Sequence, residues 1–86
     1  MNLIFSEQAW DDYQHWLKTD KTMLKRLNRL IEDTKRESYG GIGKPEPLVA
    51  NLSGYWSKRI TDEHRLVYKV DADNLFIAQA RYLYYG

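Results

Sequence analysis

A stretch from residue 38 to residue 54 constrains the fold of this chain more than any other feature of its sequence. It contains four of the five glycines and both prolines, Pro45 and Pro47. Glycine weakens helices and strands by its flexibility, and proline lacks the N–H group that both structures use, so no long regular element can pass through it. The stretch therefore separates two parts of the chain, and apolar residues follow a different period in each.

The first part combines one short strand pattern with two helical patterns. Residues 3–5 form an apolar run, and Ser6 is a preferred N-cap residue for a helix over residues 7–18. The expected core face of that helix comprises Trp10, Tyr13, Trp16 and Leu17. Asp20 can cap a second helix, whose apolar stripe comprises Met23, Leu24, Leu27, Leu30, Ile31 and Thr34. The short connection between these helices predicts a helical hairpin.

The second part has the two-residue period of β-structure. Three strand patterns cover residues 55–61, 66–70 and 75–84, and the turn-forming residues 71–74 join the last two as a hairpin. The order β-α-α-β-β-β predicts an α+β fold in which the helical hairpin packs on one face of a mainly antiparallel sheet. The opposite face is then open to solvent or to a ligand.

Composition limits both the size of the protein and its chemistry. With 86 residues, of which 43% are hydrophobic, the chain can form one modest core, so we expect a single domain over residues 1–86. There is no cysteine, and the two histidines, His15 and His64, are far apart in sequence, so we expect no disulfide, metal site or cofactor. The sequence becomes polar soon after its start, which predicts neither a signal peptide nor a membrane span and favours the cytoplasm.

The charge pattern permits a nucleic-acid partner without requiring one. A net charge of +1 argues against such a partner, because binding to phosphates is largely electrostatic. Basic residues nevertheless outnumber acidic ones between residues 18 and 36. An ordinary solvated helix face is the more usual explanation of such an excess.

Strand alternation predicts which side chains the open face displays. The helix-facing set of the last strand is expected to comprise Phe76, Ala78, Ala80 and Tyr82. The outward set then comprises Gln79, Arg81 and Leu83. Arg81 is therefore a candidate ligand contact.

Two further arginines, Arg59 and Arg65, stand at the ends of neighbouring strand patterns and can converge across the turn at residues 61–64. Nearby guanidinium groups repel each other unless an anion lies between them, and arginine binds phosphate well through its planar fork of donors. A phosphate site is one interpretation. The other is that these arginines pair with Asp62, Glu63 or a carboxylate of the core.

Glu46 stands between the two prolines of the central stretch. Proline fixes its own φ and disfavours helix at the preceding residue, so Glu46 is held on a stiff, extended segment. If it approaches Arg59 and Arg65, it could take a proton from a ribose 2′-hydroxyl while the arginines stabilise charge on the phosphate, and no metal would be needed. The alternative is an ordinary exposed loop glutamate.

Three motifs in order resemble one family of bacterial toxins. They are Gly-Lys-Pro-Glu-Pro-Leu at residues 43–48, Asn-Leu-Ser-Gly with Trp-Ser and Arg-Ile within residues 51–60, and Glu-His-Arg-Leu-Val-Tyr at residues 63–68. The similarity continues into the first helix and spans nearly the whole chain. The sequence resembles the YoeB (Txe) branch of the RelE-type toxins.

This resemblance implies the toxin of a toxin–antitoxin pair, with a RelE-like fold, that enters the ribosomal A site and cuts bound mRNA by 2′-hydroxyl attack, leaving a cyclic phosphate. It also implies a partner antitoxin of the YefM type and a homodimer. By motif, Glu46 is the base, and Arg59 and Arg65 steady the phosphate. The candidate RNA contacts of this chain are Lys44, Arg59, Arg65 and Arg81.

Two positions depart from the family pattern. The family has Arg-Tyr-His-Tyr near its C-terminus, with the histidine as general acid, whereas this chain has Leu83 at that position, followed by Tyr84. The family usually has a phosphate-contacting lysine where this chain has Val49. Leucine cannot donate a proton, so we expect an attenuated nuclease, natural or altered, in which Tyr84 or another group could act instead.

Two other functions stay open at the level of sequence. Leu83 and Val49 favour a module that binds the ribosome and the antitoxin without useful catalysis, whereas Glu46 and the two arginines disfavour it. A relative of the ParE toxins, which share the fold but act on gyrase, is the other alternative. The proline-flanked segment around Glu46 argues against it.

Overall fold

The structure, a computed structural model, describes residues 1–83. Its elements are strand β1 (Asn2–Phe5), helices α1 (Glu7–Thr19) and α2 (Lys21–Arg36), and strands β2 (Glu46–Pro47), β3 (Trp56–Arg59), β4 (Arg65–Asp71) and β5 (Asn74–Gln79). A short 3-10 turn, Ala50–Leu52, lies between β2 and β3. Both predicted helices and all four predicted strands are present, and β2 is an additional strand of two residues.

The strands form one sheet in the order β1-β5-β4-β3-β2. β1 is parallel to β5, and the other three pairings are antiparallel. Apolar residues of both helices and of β4 and β5 belong to a single buried cluster. The α+β prediction, with a helical hairpin on one face of a mainly antiparallel sheet, is therefore confirmed.

Side-chain caps start both helices where the sequence predicts. Ser6 Oγ accepts a hydrogen bond from the Ala9 N–H at 3.0 Å, and Asp20 Oδ1 accepts one from the Met23 N–H at 3.1 Å. Each bond satisfies an N–H group that the first turn of a helix leaves unpaired. Asp20 also ends α1, because its own N–H donates to the Trp16 carbonyl. Within residues 1–83, neither helix combines the length and the apolar character needed to cross a membrane.

The core lies between the helical hairpin and the sheet. It comprises Ala9, Trp16, Leu27, Leu30, Ile31, Ile60, Leu66, Tyr68, Leu75, Ile77 and Ala80. The stripe predicted for α2 is buried or partly buried, as expected. On α1 the prediction is wrong for Trp10 and Leu17, which are 49% and 48% exposed. Trp10 stacks on Tyr13 instead, with ring centroids 5.7 Å apart, so α1 packs through a narrower face than its apolar pattern indicates.

The faces of β5 differ from those that alternation predicts. Leu75 and Ile77 are buried in the core, whereas Phe76 and Ala78, predicted to face the helices, are only partly buried. The ring of Phe76 lies 5.5 Å from Lys69 Nζ on the opposite face. This part of the prediction is wrong because the strand begins in the other phase.

A β-bulge then reverses the phase of β5. Val67 pairs with Gln79 and Tyr68 pairs with Ile77, so Ala78 has no opposite residue. One extra residue in a strand shifts every later side chain to the other face. Gln79 therefore lies on the open face with Val67, as the sequence predicts for Gln79.

The last strand ends earlier than predicted. It stops at Gln79, and residues 80–83, called the C-terminal segment below, leave strand geometry, while the predicted strand end at Tyr84 lies outside the described residues. Two bonds from α1 hold Ala80 in the core. Trp16 Nε1 donates to its carbonyl at 2.8 Å, and Asp12 Oδ2 accepts from its N–H at 3.0 Å. Helix α1 therefore determines where the chain leaves the sheet.

Replacing Trp16 by phenylalanine should preserve much of its apolar contact but remove the N–H that the Ala80 carbonyl accepts. A buried acceptor that loses its donor costs about 1–3 kcal/mol, so we expect the free energy of unfolding in urea to fall by about that much. Trp10→Phe is the matched control on the same helix, and its effect should stay within about 0.5 kcal/mol because Trp10 is half exposed. Equal losses in the two variants would contradict a specific contribution from the Ala80 bond.

Candidate functional site

Glu46 lies on the edge of the sheet, not on an unattached loop. It forms β2 with Pro47, and its register partner on β3 is Ser57. One residue beyond β2, the Leu48 N–H donates to the Tyr55 carbonyl at 2.9 Å. The extended conformation that the flanking prolines predict is present, and pairing with β3 holds it. The Glu46 residue itself is exposed.

Arg59 and Arg65 lie directly opposite each other on β3 and β4. Opposite residues of an antiparallel pair have Cβ atoms about 4.5–5.5 Å apart, so the two side chains start close together. Arg65 Nη1 donates to the carbonyls of Thr61 at 2.7 Å and of Asp62 at 3.1 Å. Among the described residues neither arginine forms an ion pair, so the alternative pairing with Asp62 or Glu63 is not found.

Glu46 and the two arginines share the face that the helices leave open. On β3, Lys58 points into the core, so its neighbours Ser57 and Arg59 point away from it. Opposite residues point to the same side, which places Glu46 beside Ser57 and Arg65 beside Arg59. Glu46 is a diagonal neighbour of Arg59, and such neighbours are about 7–8 Å apart, within reach of long side chains. Arg65 lies one strand further from Glu46, so a ligand that contacts all three side chains has to extend across β3.

The chemistry available at this face is proton transfer beside a bound anion. A carboxylate can accept a proton, and two converging guanidinium groups can bind the oxygens of a phosphate. Among residues 1–83, no three His, Asp or Glu side chains lie close enough together to hold a metal ion.

A buried lysine fastens the glycine-rich loop that leads to this site. Lys58 is fully buried, with its Nζ 3.4 Å from Asp33 Oδ2 and 3.0 Å from the Glu37 carbonyl oxygen. Asp33 also accepts from the Ile42 N–H at 2.9 Å and from Arg36 at 2.6 Å. The hydrogen bond from the Ile42 N–H is the largest cause that lowers the pKa of Asp33, and the cations Arg36 and Lys58 lower it further. Burial lowers the pKa of Lys58.

The close approach of this loop to α2 requires glycine at position 41. Gly41 has a φ of 75°, and a Cβ atom there would lie 2.2 Å from Asp33 Oδ2. Two residues later, the Gly43 carbonyl accepts from the Arg59 N–H at 2.7 Å. The loop is thus joined to both α2 and β3 just before it reaches Glu46.

Leu83 is brought back toward the open face by a glutamine. Gln79 Nε2 donates to the carbonyls of Arg81 at 2.6 Å and of Leu83 at 2.8 Å. Because Gln79 pairs with Val67 on the open face, position 83 lies at the margin of the same face. The Leu83 side chain is 51% exposed. Tyr84, the other C-terminal candidate, lies outside the described residues.

Arg81 does not point outward on the open face, and this part of the prediction is wrong. Its guanidinium carbon lies 4.5 Å from the ring centroid of Tyr82 and 5.9 Å from that of Trp16, which is a core residue on the helix side. Tyr82, predicted to face the helices, is 48% exposed. Both errors have one cause, because the strand ends at Gln79 and the two-residue period does not apply beyond it.

Lys44 and Val49 flank β2 on either side of Glu46. Lys44 is exposed and has a φ of 51°, and Val49 is 78% exposed. A large ligand lying along β2 can therefore reach both residues. At Val49 it meets an apolar side chain instead of a cation.

Sequence reasoning missed three residues that position the site, namely Asp33, Lys58 and Gln79. Alternation places Lys58 on the inward face of β3, and an inward lysine requires a buried acceptor, so a signal for this contact existed. Asp33 gave a similar signal, because it lies next to the apolar stripe of α2. Gln79 carried no comparable signal, because its contacts depend on how the chain turns after β5.

Comparison with known proteins identifies the family of this chain and agrees with its fold. The chain matches the family described as YoeB-like toxin of bacterial type II toxin-antitoxin system over residues 5–84. The chain belongs to this family. It is 60% identical to toxin YoeB of Escherichia coli K12 and 55% identical to toxin YoeB of Streptomyces coelicolor. Each match covers 98% of this chain and 100% of the relative.

Solved structures of YoeB toxins share the fold closely. A YoeB/ParE toxin from Agrobacterium tumefaciens has a TM-score of 0.95 at 45% identity, covering 98% of this chain and 100% of that chain. A heterotetrameric YoeB-YefM complex from Staphylococcus aureus contains a chain with a TM-score of 0.90 at 47% identity, and the match covers 98% of each chain. Helices, sheet and loop are thus arranged here as in other YoeB toxins.

Replacing Asp33 by asparagine should lower the stability of the protein at neutral pH, because it leaves the Lys58 ammonium buried without its carboxylate. A carboxyl whose pKa is lowered on folding contributes stability above its ordinary pKa of about 3.9, and that stability is lost as the pH falls through the lowered value. The urea midpoint of Asp33→Asn should therefore lie below that of the unmodified chain at pH 7, and the difference should shrink as the pH falls below about 3.9.

Asp62→Asn is the control for this experiment, because Asp62 is exposed and receives the Arg65 bond through its main-chain carbonyl. Its urea midpoint should equal that of the unmodified chain at pH 7. A difference for Asp33→Asn that persists unchanged in acid would contradict the role of the carboxylate charge.

Proposed function

We propose that this chain is a toxin that cleaves mRNA bound in the ribosomal A site, acting as a metal-independent endoribonuclease. The observation that carries this proposal is the shared face of Glu46, Arg59 and Arg65 on three adjacent strands. A carboxylate beside two guanidinium groups provides a general base next to a phosphate clamp. Attack of a ribose 2′-hydroxyl on the adjacent phosphorus requires these two functions.

In this mechanism Glu46 accepts the proton of the 2′-hydroxyl, whose oxygen then attacks phosphorus. The bond from phosphorus to the 5′-oxygen breaks, leaving a 2′,3′-cyclic phosphate on one product and a 5′-oxygen that needs a proton on the other. Arg59 and Arg65 stabilise the charge on the non-bridging oxygens. Lys44, exposed beside β2, contacts a neighbouring phosphate. Arg81, packed on Trp16, supports the C-terminal segment instead of contacting RNA.

Protonation of the leaving 5′-oxygen is the step for which this chain lacks the family's catalytic group. Leu83 has no proton to give, and the loss of a general acid lowers a rate by about a hundredfold to ten-thousandfold. Water or Tyr84 then supplies the proton, so cleavage is attenuated. Phosphate binding is weaker as well, because Val49 stands where the family usually has a phosphate-contacting lysine.

The proposed partners follow from relatives of high identity over nearly the whole chain. Structures of a YoeB-YefM heterotetramer and of a YoeB dimer, both from Staphylococcus aureus, match this chain at 47% identity. We therefore propose a YefM-like antitoxin and a homodimer for this chain, which acts as one toxin domain in the cytoplasm, where mRNA and ribosomes are found.

A second candidate is a module that binds the ribosome and the antitoxin but does not cleave. Leu83 at the position of the acid is the observation that favours it. The retained base and arginine pair favour the nuclease. Action on gyrase, as in the ParE toxins, is disfavoured by the match to the YoeB family over residues 5–84.

Leu83→His should raise the single-turnover rate of mRNA cleavage on programmed ribosomes by about a hundredfold to ten-thousandfold, because an imidazolium at position 83 can protonate the leaving oxygen. Leu83→Asn is the control, since it introduces polarity without an acid and should leave the rate unchanged. If the histidine variant binds ribosomes but cleaves no faster, Leu83 does not mark the missing acid, and the binding module becomes the better description.

Glu46→Gln in the Leu83→His background should lower the cleavage rate by a similar factor, about a hundredfold to ten-thousandfold, because the amide cannot accept the proton. Ribosome binding, measured by cosedimentation, should not change, since the side chain keeps its size. Glu32→Gln, on the exposed side of α2, is the matched control and should cleave normally. Unimpaired cleavage by Glu46→Gln would refute the assignment of the base.

A further inference from the structure

Tyr82, the residue that precedes the position of the missing acid, has an unusual backbone conformation. Its φ is 63°, in the left-handed region that residues with side chains rarely adopt. Such a conformation persists only where the surrounding structure over-determines it, and it is found preferentially at functional sites. The contacts that hold Tyr82 in this conformation therefore bear on the function of the neighbouring site.

Both backbone polar groups of Tyr82 are bound by two consecutive residues. The Tyr82 N–H donates to His64 Nδ1 at 2.8 Å, and its carbonyl accepts from the Arg65 N–H at 2.8 Å. Gln79 Nε2 makes a longer bond to the same carbonyl, at 3.3 Å. His64 is thus the side chain that accepts the Tyr82 N–H, one residue before position 83.

The imidazole of His64 is held in one orientation by aromatic contacts. Its ring centroid lies 4.9 Å from that of Trp16, edge to face, and 6.0 Å from that of Tyr82. Nδ1 can accept a hydrogen bond only when it carries no proton, so the bound form is neutral and is protonated at Nε2. A proton added at Nδ1 would oppose the Tyr82 N–H and break this bond.

The surroundings of His64 favour its neutral form. Burial is the largest cause of its lowered pKa, and Arg81 of the C-terminal segment, His15 of α1 and the adjacent Arg65 act in the same direction. The carboxylate of Glu63 opposes them. A histidine whose pKa is lowered on folding contributes stability above its ordinary pKa of about 6.5, and that stability is lost as the pH falls through the lowered value.

We propose that His64 is a positioning residue, whose neutral imidazole holds Tyr82 in its left-handed conformation and so directs residue 83 toward the face that carries Glu46 and Arg65. When the pH falls and the imidazole is protonated at Nδ1, its hydrogen bond from the Tyr82 N–H is lost. The catalytic consequence rests on the nuclease function proposed above, but the structural hold on Tyr82 can be measured without any cleavage.

The structural test compares two substitutions at position 64. His64→Phe keeps an aromatic ring against Trp16 but has no acceptor, whereas His64→Asn has a side-chain oxygen close to the position of Nδ1. Amide hydrogen exchange by NMR at pH 7.5 should show the protection factor of Tyr82 reduced by about fivefold to tenfold in the Phe variant, the loss expected for one hydrogen bond, and largely retained in the Asn variant. Unchanged protection of the Leu66 amide in β4 serves as the control for an intact core. Equal Tyr82 protection in the Phe variant and the unmodified chain would overturn the proposal.

The pH test needs no substitution at position 64 and so does not depend on how the variants fold. In the unmodified chain, the Tyr82 protection factor, corrected for the intrinsic exchange rate, should decrease as the pH is lowered below about 6.5. The His64 ring signals should titrate over the same range. The same result in a His15→Gln background would assign the titration to His64. Protection of Tyr82 that does not change while His64 becomes protonated would overturn the proposal.

The catalytic test uses the Leu83→His background, in which position 83 carries an acid. There, His64→Phe should reduce the single-turnover cleavage rate by at least the factor by which it reduces Tyr82 protection, with little change in ribosome affinity, and His64→Asn should restore most of that rate. If Tyr82 protection falls but cleavage stays at full rate, the role of His64 in directing residue 83 is refuted. If Leu83→His with native His64 does not cleave at all, the nuclease proposal fails, while loss of Tyr82 protection in His64→Phe still supports the hold on the segment.

Discussion

The positive charge of Lys58 has to be compensated inside the protein, and much of the structure around the site follows from this requirement. Its side chain is fully buried, and a buried ammonium needs acceptors in fixed positions. Asp33 and the Glu37 carbonyl supply them, so the end of α2 must meet β3 at this point. Because Asp33 also accepts the Ile42 N–H, the same contact fixes the glycine-rich loop and hence the place where Glu46 joins the sheet.

The candidate site depends on both helices although it lies on the face that they do not cover. Helix α2 holds the loop before Glu46 through Asp33. Helix α1 holds the chain after β5, where Trp16 and Asp12 bind the backbone of Ala80. Between these two sets of contacts, antiparallel pairing places Arg59 of β3 opposite Arg65 of β4. A rigid core thus supports a small charged surface, and the fold needs no deep cleft to bring the groups together.

Local features were predictable because they depend on neighbouring residues alone. The caps at Ser6 and Asp20, the apolar stripe of α2 and the extended segment at Glu46 all follow from short-range backbone chemistry. The prediction of which side chains face the core was less accurate. The exposure of Trp10 depends on how much of α1 the sheet covers, and the phase of β5 depends on a bulge opposite β4. Neither quantity is encoded in a spacing along the chain.

By itself, the sequence determined the order of elements, the family, and the residue types available for chemistry, because periodicity, capping and motif are properties of adjacent residues. Only the tertiary structure decided that Arg59 and Arg65 lie opposite each other and that Arg81 turns away to Trp16. It also decided that His64 binds the backbone of Tyr82. These contacts join residues from different elements, and strand register, the bulge and the end of β5 set them through the packing of the whole chain.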